Sequence, residues 1–402
     1  MNAQSALLAR QPIFDRNVRV VGYEILFRAT DSETNVISSP DRATAEVGVH
    51  ALLDLGLDRI VGAHTGWINI TRNILISGMY DFFPHERVVL ELLETVEADA
   101  EVLAALERAR SRGFTIALDD FELNDRTRAL VPFADIVKLD VLALGEERFE
   151  CATLELARPG LRLLAEKVET KAVFEHAKAL HCSLFQGFFF ARPEPLAGRS
   201  VKNNRMALLQ LVGALVAEDA SIDRIEELIR SDVGLSYRLL RYVNSVSIGM
   251  ATPIQSIRHS VVTLGLDRVR ACVLVLMLTA YDDKPNELVT LSLVRARYCQ
   301  ILCEFHGLDP QRGFLVGLMS SIDAFLDRKL ESIVPEMGLS EELERALIAH
   351  EGNLGQVLDA AIACETADWE RLSRSRFGPG SPCDTYMDAL SWSMRMQASL
   401  AA

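Results

Sequence analysis

The amino-acid sequence predicts an α/β barrel followed by an all-α region, and three observations support this fold class. Short apolar runs occupy the first half, with helix-periodic segments such as Ala98–Arg110 between most of them. After about residue 200 the β-like runs largely disappear and apolar residues recur at helical spacing. A chain of 402 residues is also longer than one hydrophobic core usually supports. We therefore predict two domains, at residues 1–197 and 198–402.

Eight apolar runs in the first half have the length and the polar or turn-forming flanks of barrel strands. We predict strands at Leu7–Phe14, Val20–Arg28, Trp67–Ile70, Val88–Leu93, Thr115–Asp119, Ile136–Asp140, Leu161–Lys167 and Leu184–Phe190. The first two runs are separated only by Asp15–Arg19, which is too short for a helical crossover. The predicted fold is therefore a TIM-like barrel with an antiparallel first strand pair.

The second half begins after a break at Pro193-Glu194-Pro195 and Gly198. Apolar residues then recur at helical spacing within 208–215, 235–243 and 257–264. Because the strand pattern largely ends at this break, we predict that the second domain is built from helices alone.

Composition limits the classes of function. Hydrophobic residues make up 49% of the chain and charged residues 24%, as in globular proteins. No apolar run approaches the roughly 18–20 residues that span a bilayer, and Met1–Ser5 lacks the basic region of a signal peptide. We expect a cytoplasmic protein that binds no membrane. A net charge of −14 disfavours DNA as a partner, and seven cysteines without a CxxC pair indicate reduced thiols.

Oxygen-bearing side chains recur at the ends of the predicted strands, where barrel enzymes place their active sites. They are Glu24, Asn69, Glu91, Asp119, Asp120 and Glu166. One acidic residue at a strand end is usually solvated or caps a helix, but this many in one mouth would repel by several kcal/mol without cations. All-oxygen ligation suits Mg²⁺ or Mn²⁺, and a pair of such ions suits attack of water on a phosphodiester.

Lys138 lies on the sixth predicted strand, two residues before Asp140. Its ammonium could orient the attacking water or neutralise developing charge. It could also simply pair with Asp140. The residues alone leave these alternatives open.

The second predicted strand contains Gly22-Tyr23-Glu24-Ile25-Leu26-Phe27-Arg28. This motif resembles the signature of the EAL family, with Ile25 in place of its middle alanine, and members of that family handle cyclic di-GMP. The resemblance spans about 5–197 and continues in order through Gln11–Ile13, Ile68–Ile70, Leu90–Thr95, Ala117–Phe121, Val137–Asp140, Ala165–Thr170 and Phe185–Pro193. It implies a barrel that binds cyclic di-GMP and, when competent, linearises it to pGpG with two divalent cations.

By position, the resemblance also implies roles for individual residues. The metal ligands would be Glu24, Asn69, Glu91, Asp119 and Asp120. Lys138 would position the nucleophilic water, Glu166 would complete the shell around metal and water, and Glu94 would act with them. Residues that contact the nucleotide or support the site would be Gln11, Arg28, Gln186 and Glu169.

Two departures from the family pattern keep three hypotheses open. The loop Glu122–Thr127 lacks the glycines of active relatives, and Lys167 replaces a glycine beside Glu166. The family loop couples to dimerisation, and a homodimer is the expected oligomer. The protein is then either a phosphodiesterase, or an effector that binds cyclic di-GMP without cutting it, or a scaffold. The dense carboxylates disfavour the scaffold.

Three segments of the second half are informative, namely Asp232–Ser245, Ile254–Gly265 and Gly317–Asp323. They resemble the HDOD family, helical relatives of the HD phosphohydrolases. Ser320-Ser321 stands where an HD enzyme carries His-Asp, and two hydroxyls cannot replace those metal ligands. The resemblance therefore implies a non-catalytic domain that docks a protein partner.

Overall fold

The structure is a computed structural model. It describes residues 6–29, 52, 55–121, 127–192, the helical positions 223, 226, 229, 239, 240 and 243, and then 256–278, 284–337, 339–378 and 382–401. The chain divides into two compact units. The first contains Met1–Phe190 with Cys364–Trp369 and Ser381–Met387, and the second contains the remainder. The predicted boundary at 197/198 lies outside the described residues and stays a prediction.

Eight strands close into a barrel in sequence order. They are β1 (Ala6–Asp15), β2 (Val20–Ala29), β3 (Thr65–Ile70), β4 (Val88–Leu92), β5 (Thr115–Leu118), β6 (Ile136–Asp140), β7 (Arg162–Glu166) and β8 (Leu184–Gln186). β1 runs antiparallel to both of its neighbours, β2 and β8, and all the other pairs are parallel. The predicted barrel with an antiparallel first pair is confirmed.

The end of β8 differs from the prediction. The strand stops at Gln186 rather than Phe190, and Phe189–Ala191 forms a 3₁₀ turn. Gly187 has a φ of +140°, and a Cβ atom there would lie 2.2 Å from the carbonyl oxygen of Val168. That oxygen accepts a hydrogen bond from the Phe189 amide at 3.1 Å. The close backbone crossing therefore requires glycine and ends the strand directly after Gln186.

An apolar layer fills the barrel interior. It consists of one inward-facing side chain from every strand but β2, namely Ile13, Trp67, Val89, Ala117, Ile136, Leu164 and Leu184. Strand β2 contributes Gly22, where a Cβ atom would approach the indole nitrogen of Trp67 to 2.7 Å. The members of this layer are almost fully buried, so the layer is a closely packed base for the side chains that lie above it in the barrel.

Helices of the barrel unit follow several strands. They are α1 (Leu57–Val61), α2 (Arg72–Ser77), α3 (Ala100–Ser111), α4 (Val141–Leu156) and α5 (Lys171–Ala179), with 3₁₀ turns at Met79–Phe82 and Val131–Phe133. Side chains of Thr71, Asp99, Asp140 and Thr170 cap the first turns of α2 to α5. These caps end the strand-to-helix loops at defined positions, and α3 confirms the predicted helical segment.

The part of the C-terminal half that the structure describes is helical, as predicted. Its helices are α6 (Ile257–Leu264), α7 (Leu266–Leu278), α8 (Asn286–Phe305), α9 (Pro310–Met319), α10 (Ile322–Leu326), α11 (Leu330–Ile333), α12 (Glu341–Ile348), α13 (Gly352–Glu365), α14 (Trp369–Arg374) and α15 (Pro382–Ala401), with a 3₁₀ turn at Val334–Met337. The predicted helical patterns at 208–215 and 235–243 lie largely outside the described residues. No described helix combines the length and apolarity needed to cross a membrane. Of the six described cysteines, all are free and all but Cys151 are buried.

Candidate active site

A ring of polar side chains stands directly above the apolar layer. Each member lies two residues along its strand from a member of that layer and so points to the same barrel interior. We call this set the polar ring, and it consists of Gln11, Glu24, Asn69, Glu91, Asp119, Lys138, Glu166 and Gln186. All eight strands contribute, since Asp119 directly follows β5.

The ammonium of Lys138 lies among four carboxylates of the polar ring. Its Nζ atom is 2.7 Å from Glu166 Oε1, 2.8 Å from Asp119 Oδ1 and 3.3 Å from Glu24 Oε2, and it also contacts Glu91 Oε1. The Lys138 side chain is only 1% exposed. The sequence left open a pair between Lys138 and Asp140. The structure instead gives Lys138 four partners, which lie on or directly after four other strands.

Burial and charge shift the pKa values of these groups. Burial alone would lower the pKa of Lys138, but the carboxylates of Glu166, Glu24, Glu91 and Asp119 outweigh it and raise that pKa well above its usual value. Burial, reinforced by Glu24, raises the pKa of Glu91. Burial, against the opposing charge of Lys138, raises the pKa of Glu166 to about 8. Burial therefore penalises the ionised forms of Glu91 and Glu166, although one ammonium lies among them.

Four acceptor oxygens in the polar ring are buried without a hydrogen-bond donor. They are Asn69 Oδ1, Glu91 Oε2, Glu166 Oε2 and Gln186 Oε1. A buried polar atom without a partner costs free energy, and such atoms cluster where a ligand or ion completes them. All four are oxygen atoms of the kind that hard cations prefer as ligands, so the missing partner is a cation or a hydrogen-bond donor.

Asp120 extends the carboxylate set beyond the ring. Asp119, Asp120 and Glu166 each place one carboxylate oxygen within 4.8 Å of the other two, a spacing that fits a metal ion. Asp120 adopts a left-handed backbone, with a φ of 40°, immediately after β5. Burial and the neighbouring Asp119 raise the pKa of Asp120. Such strain at a strand end is typical of functional sites.

The charge of this set fits divalent cations. When all are ionised, the five carboxylates of Glu24, Glu91, Asp119, Asp120 and Glu166 exceed the one ammonium by four charges. Two divalent cations would cancel that excess, and the orphaned oxygens would supply the ligands that hard cations prefer. The residues present therefore fit a metal site.

The remaining candidate residues divide by position. Gln186 Nε2 donates to Glu24 Oε2 at 2.6 Å and to Gln11 Oε1 at 3.0 Å, so these two glutamines join the ring. Arg28 lies four residues beyond Glu24 on β2 and therefore on the same face. Glu94 and Glu169 are exposed, and they follow the ends of β4 and β7 outside the polar ring.

Asp140 and Lys167 form an ion pair that sequence reasoning did not anticipate. Asp140 Oδ1 accepts the amides of Leu142 and Ala143 at 2.8 and 3.0 Å, while its other oxygen contacts Lys167 Nζ. Lys167 has a left-handed φ of 53°, the conformation that glycine adopts most readily. An aspartate directly before a helix signals an N-cap, and that signal could have separated Asp140 from Lys138. Residues 122–126 of the altered loop lie outside the described residues.

The helical unit carries a different polar cluster at Ser320-Ser321. Ser321 Oγ lies 2.5 Å from Ser292 Oγ, and Arg295 Nη1 donates to Ser320 Oγ at 2.8 Å. We call Ser292, Arg295, Ser320 and Ser321 the serine–arginine cluster. It contains no carboxylate, imidazole or thiolate, so these four residues cannot assemble a metal site of the usual kinds.

The comparisons with known proteins agree with this geometry. The EAL domain family matches residues 63–193, and the HDOD domain family matches residues 205–362. The chain is 34% identical over 375 residues to the cyclic di-GMP phosphodiesterase CdgJ of Vibrio cholerae serotype O1, with 91% of this chain and 86% of that protein covered. It is 29% identical over 399 residues to the uncharacterized protein YuxH of Bacillus subtilis strain 168, with 96% and 97% covered.

Among solved structures, the chain is similar to a standalone EAL protein from Vibrio cholerae O395 with cyclic di-GMP bound. The match has 26% identity and a TM-score of 0.37, and it covers 48% of this chain and 93% of that one. Barrel, polar ring and family match together define the first half as an EAL domain. The chain belongs to the family of proteins that join an EAL domain to an HDOD domain.

Proposed function

We propose that this protein is a cyclic di-GMP phosphodiesterase that hydrolyses its substrate to pGpG at the polar ring. One observation carries the proposal: buried acceptor oxygens in the ring lack donors while its carboxylates outnumber its ammonium. A relative that is 34% identical over 91% of this chain carries the name of a cyclic di-GMP phosphodiesterase, which supports the choice of substrate.

We assign the divalent-cation ligands to Glu24, Asn69, Glu91, Asp119 and Asp120. Their donors are all oxygens, which suits Mg²⁺ or Mn²⁺ better than zinc. Such cations, when bound, supply Lewis acidity that makes water a stronger nucleophile and offset charge on the leaving oxygen.

Side chains of this protein would then bind the nucleotide, orient the attacking water and accept its proton. The ammonium of Lys138 orients the water and offsets negative charge on the phosphodiester, since it is buried among the ring carboxylates. Glu166 is a proton acceptor for that water through Oε2, which has no other partner. Gln11, Gln186 and Arg28 contact the nucleotide, while Glu94 and Glu169 support the site from the rim.

The test is turnover of cyclic di-GMP by the full-length protein with Mg²⁺ or Mn²⁺, followed by detection of pGpG. Glu24→Ala should abolish product, because it removes one ligand together with the acceptor that orients Gln186. Ser321→Ala, in the serine–arginine cluster, is the matched control and should retain turnover. Absence of pGpG with both metals would overturn the proposal.

A second candidate is an effector that binds cyclic di-GMP without cutting it. The observation that favours it is Lys167, which replaces the family glycine and pairs with Asp140 beside the ring. Calorimetric binding of cyclic di-GMP without product would support the effector. Turnover that rises in Lys167→Gly would show instead that this lysine only slows a competent enzyme.

The wider organisation is also part of the proposal. The barrel domain would extend over 1–197 and the HDOD domain over 198–402, with the second docking a protein partner without catalysing a reaction. Ser320-Ser321 in place of His-Asp supports the absence of catalysis. We further propose a cytoplasmic homodimer, which light scattering of the full-length protein would test.

A further inference from the structure

We infer that the ammonium of Lys138 and a divalent cation are alternative occupants of the same carboxylate oxygens, so that Lys138 sets how tightly the polar ring binds divalent cations. The inference rests on the metal site of the proposed function. It goes beyond that function because it assigns to Lys138 a role in the metal-free protein and a cost that every incoming cation must overcome.

The geometry of the metal-free ring carries the first step. Lys138 Nζ contacts Glu24, Glu91, Asp119 and Glu166, which come from β2, β4, the position directly after β5, and β7. An ammonium has three donor hydrogens, so four carboxylates exceed its capacity. The lysine is therefore placed as a shared counter-ion rather than as the partner of one residue. With 1% of its side chain exposed, water does not substitute for it.

The second step is that this position and a bound divalent cation exclude each other. Three of the contacted carboxylates, those of Glu24, Glu91 and Asp119, are among the assigned metal ligands. Mg²⁺ and Ca²⁺ lie roughly 2.0–2.6 Å from their oxygen ligands. A cation that close to oxygens already 2.8–3.3 Å from Nζ would face the ammonium at short range in a buried site. Like charges there repel strongly, so the ammonium must withdraw as the cation enters.

The third step follows from charge. Lysine is a flexible stem with a compact charge, and it can withdraw while still serving the water. Removing its charge should weaken the metal-free barrel, because four buried carboxylates would lose their only counter-ion among the described contacts. The same change should strengthen divalent binding, because the competitor is gone. Lower stability without metal together with tighter divalent binding would not be expected if Lys138 only held the site in shape.

The experiment compares wild type, Lys138→Met and Lys167→Met as full-length proteins stripped with EDTA. Methionine keeps much of the length of lysine without its charge. Lys167, 57% exposed and paired with Asp140 outside the ring, is the matched lysine control. Calorimetry with Mg²⁺, Mn²⁺ and Ca²⁺ gives affinity, and thermal unfolding with and without each cation gives stability.

We expect Lys138→Met to bind divalent cations at least about tenfold more tightly than wild type, since one repelling charge is removed at close range. Its barrel should unfold roughly 10 °C lower without metal and regain most of that loss with metal. Lys167→Met should change affinity far less. Unchanged or weaker divalent binding in Lys138→Met would overturn the inference.

Two further outcomes keep the test decisive. If wild type binds no divalent cation, the metal site of the proposed function fails and this inference fails with it; if only the Lys138→Met gain is missing, the inference alone fails. Should Lys138→Met not fold, crystal structures of EDTA-treated and Ca²⁺-loaded wild type decide the matter. Nζ should stay within hydrogen-bonding reach of Glu24 and Asp119 only in the metal-free form, and the same position in both would refute the exchange.

Discussion

The polar ring and the serine–arginine cluster are two buried polar sites that differ in whether their polar atoms have hydrogen-bond partners. The ring gathers four carboxylates around one ammonium and leaves four acceptor oxygens without donors. In the serine–arginine cluster, hydroxyls bond to each other and accept from a guanidinium. None of its four residues is among the described buried side chains with an unpartnered polar atom.

The difference explains why the polar ring, unlike the serine–arginine cluster, fits divalent cations. Neutral hydroxyls can satisfy one another, because each is both donor and acceptor. Ionised carboxylates are acceptors only, so a group of them stays unsatisfied until cations or protons arrive. Burial, together with the charges of Asp119 and Glu24, raises the pKa of Glu166 to about 8 against the opposing charge of Lys138. The polar ring therefore has acceptor oxygens available to a cation, whereas the hydroxyls of the serine–arginine cluster already have hydrogen-bond partners.

Removing one ring carboxylate should give the largest contrast between the two sites. We expect Glu91→Gln to lower pGpG formation by at least about 100-fold, because loss of a group that only supports a ligand already costs roughly 10–100-fold. Ser320→Ala should stay within about twofold of wild type, because its hydroxyl bonds only within the helical unit. Steady-state assays with Mn²⁺ measure both. Equal losses in the two variants would contradict the comparison.

Metal addition should stabilise one unit and not the other. At 100 times the dissociation constant, a cation that binds only the folded barrel adds about 2.7 kcal/mol. Hydrogen exchange should therefore slow in peptides of β4 to β7 after Mg²⁺ is added to EDTA-treated protein. Peptides of α8 and α9 should keep their exchange rates. Protection that appears only in α8 and α9 would place the cation in the wrong half.

The sequence predicted the fold of the barrel and the members of its ring because both depend on local signals. Short apolar runs with turn-forming flanks locate strands, and strand ends locate barrel sites. The short link between the first two runs fixed their antiparallel pairing, which the structure confirms. Glu24, Asn69, Glu91 and Glu166 all proved to share one interior layer.

The partners of Lys138 could not be predicted in the same way. Its contact with Glu24 spans 114 residues of sequence and depends on how the strands stagger around the barrel. A pair with Asp140, two residues away on the same face, was one alternative that the sequence left open, but the Asp140 carboxylate instead caps α4 and binds Lys167. The early end of β8 depends similarly on one close backbone crossing at Gly187.

The stability of the helical unit should depend on pH through Asp323. Burial raises the pKa of this carboxyl to about 6. The folded state therefore holds the proton more tightly than the unfolded state, and stability contributed by Asp323 falls as pH rises from about 4 to 6. Between pH 4.5 and pH 7.5, the free energy of unfolding of Asp323→Asn should therefore rise by roughly 1–2 kcal/mol relative to that of wild type. Urea unfolding at the two pH values measures the gap, and a constant gap would contradict the burial argument.

The smallest effect should come from within the serine–arginine cluster. Ser292 and Ser321 are both buried, and their hydroxyls lie 2.5 Å apart. A double-mutant cycle with Ser292→Ala, Ser321→Ala and both should give a coupling free energy of roughly 0.5–1.5 kcal/mol, as for one neutral hydrogen bond. Each Oγ also lies near a carbonyl oxygen in its own helix or turn, Ser292 at 2.7 Å from Leu288 and Ser321 at 3.4 Å from Leu318. Each hydroxyl has one hydrogen, so one serine donates to the other and only the second donates to its carbonyl. The single variant of that second serine should therefore lower the free energy of unfolding by more than the coupling free energy. A coupling above about 3 kcal/mol would contradict a simple neutral hydrogen bond between the two hydroxyls, because such bonds do not reach that value.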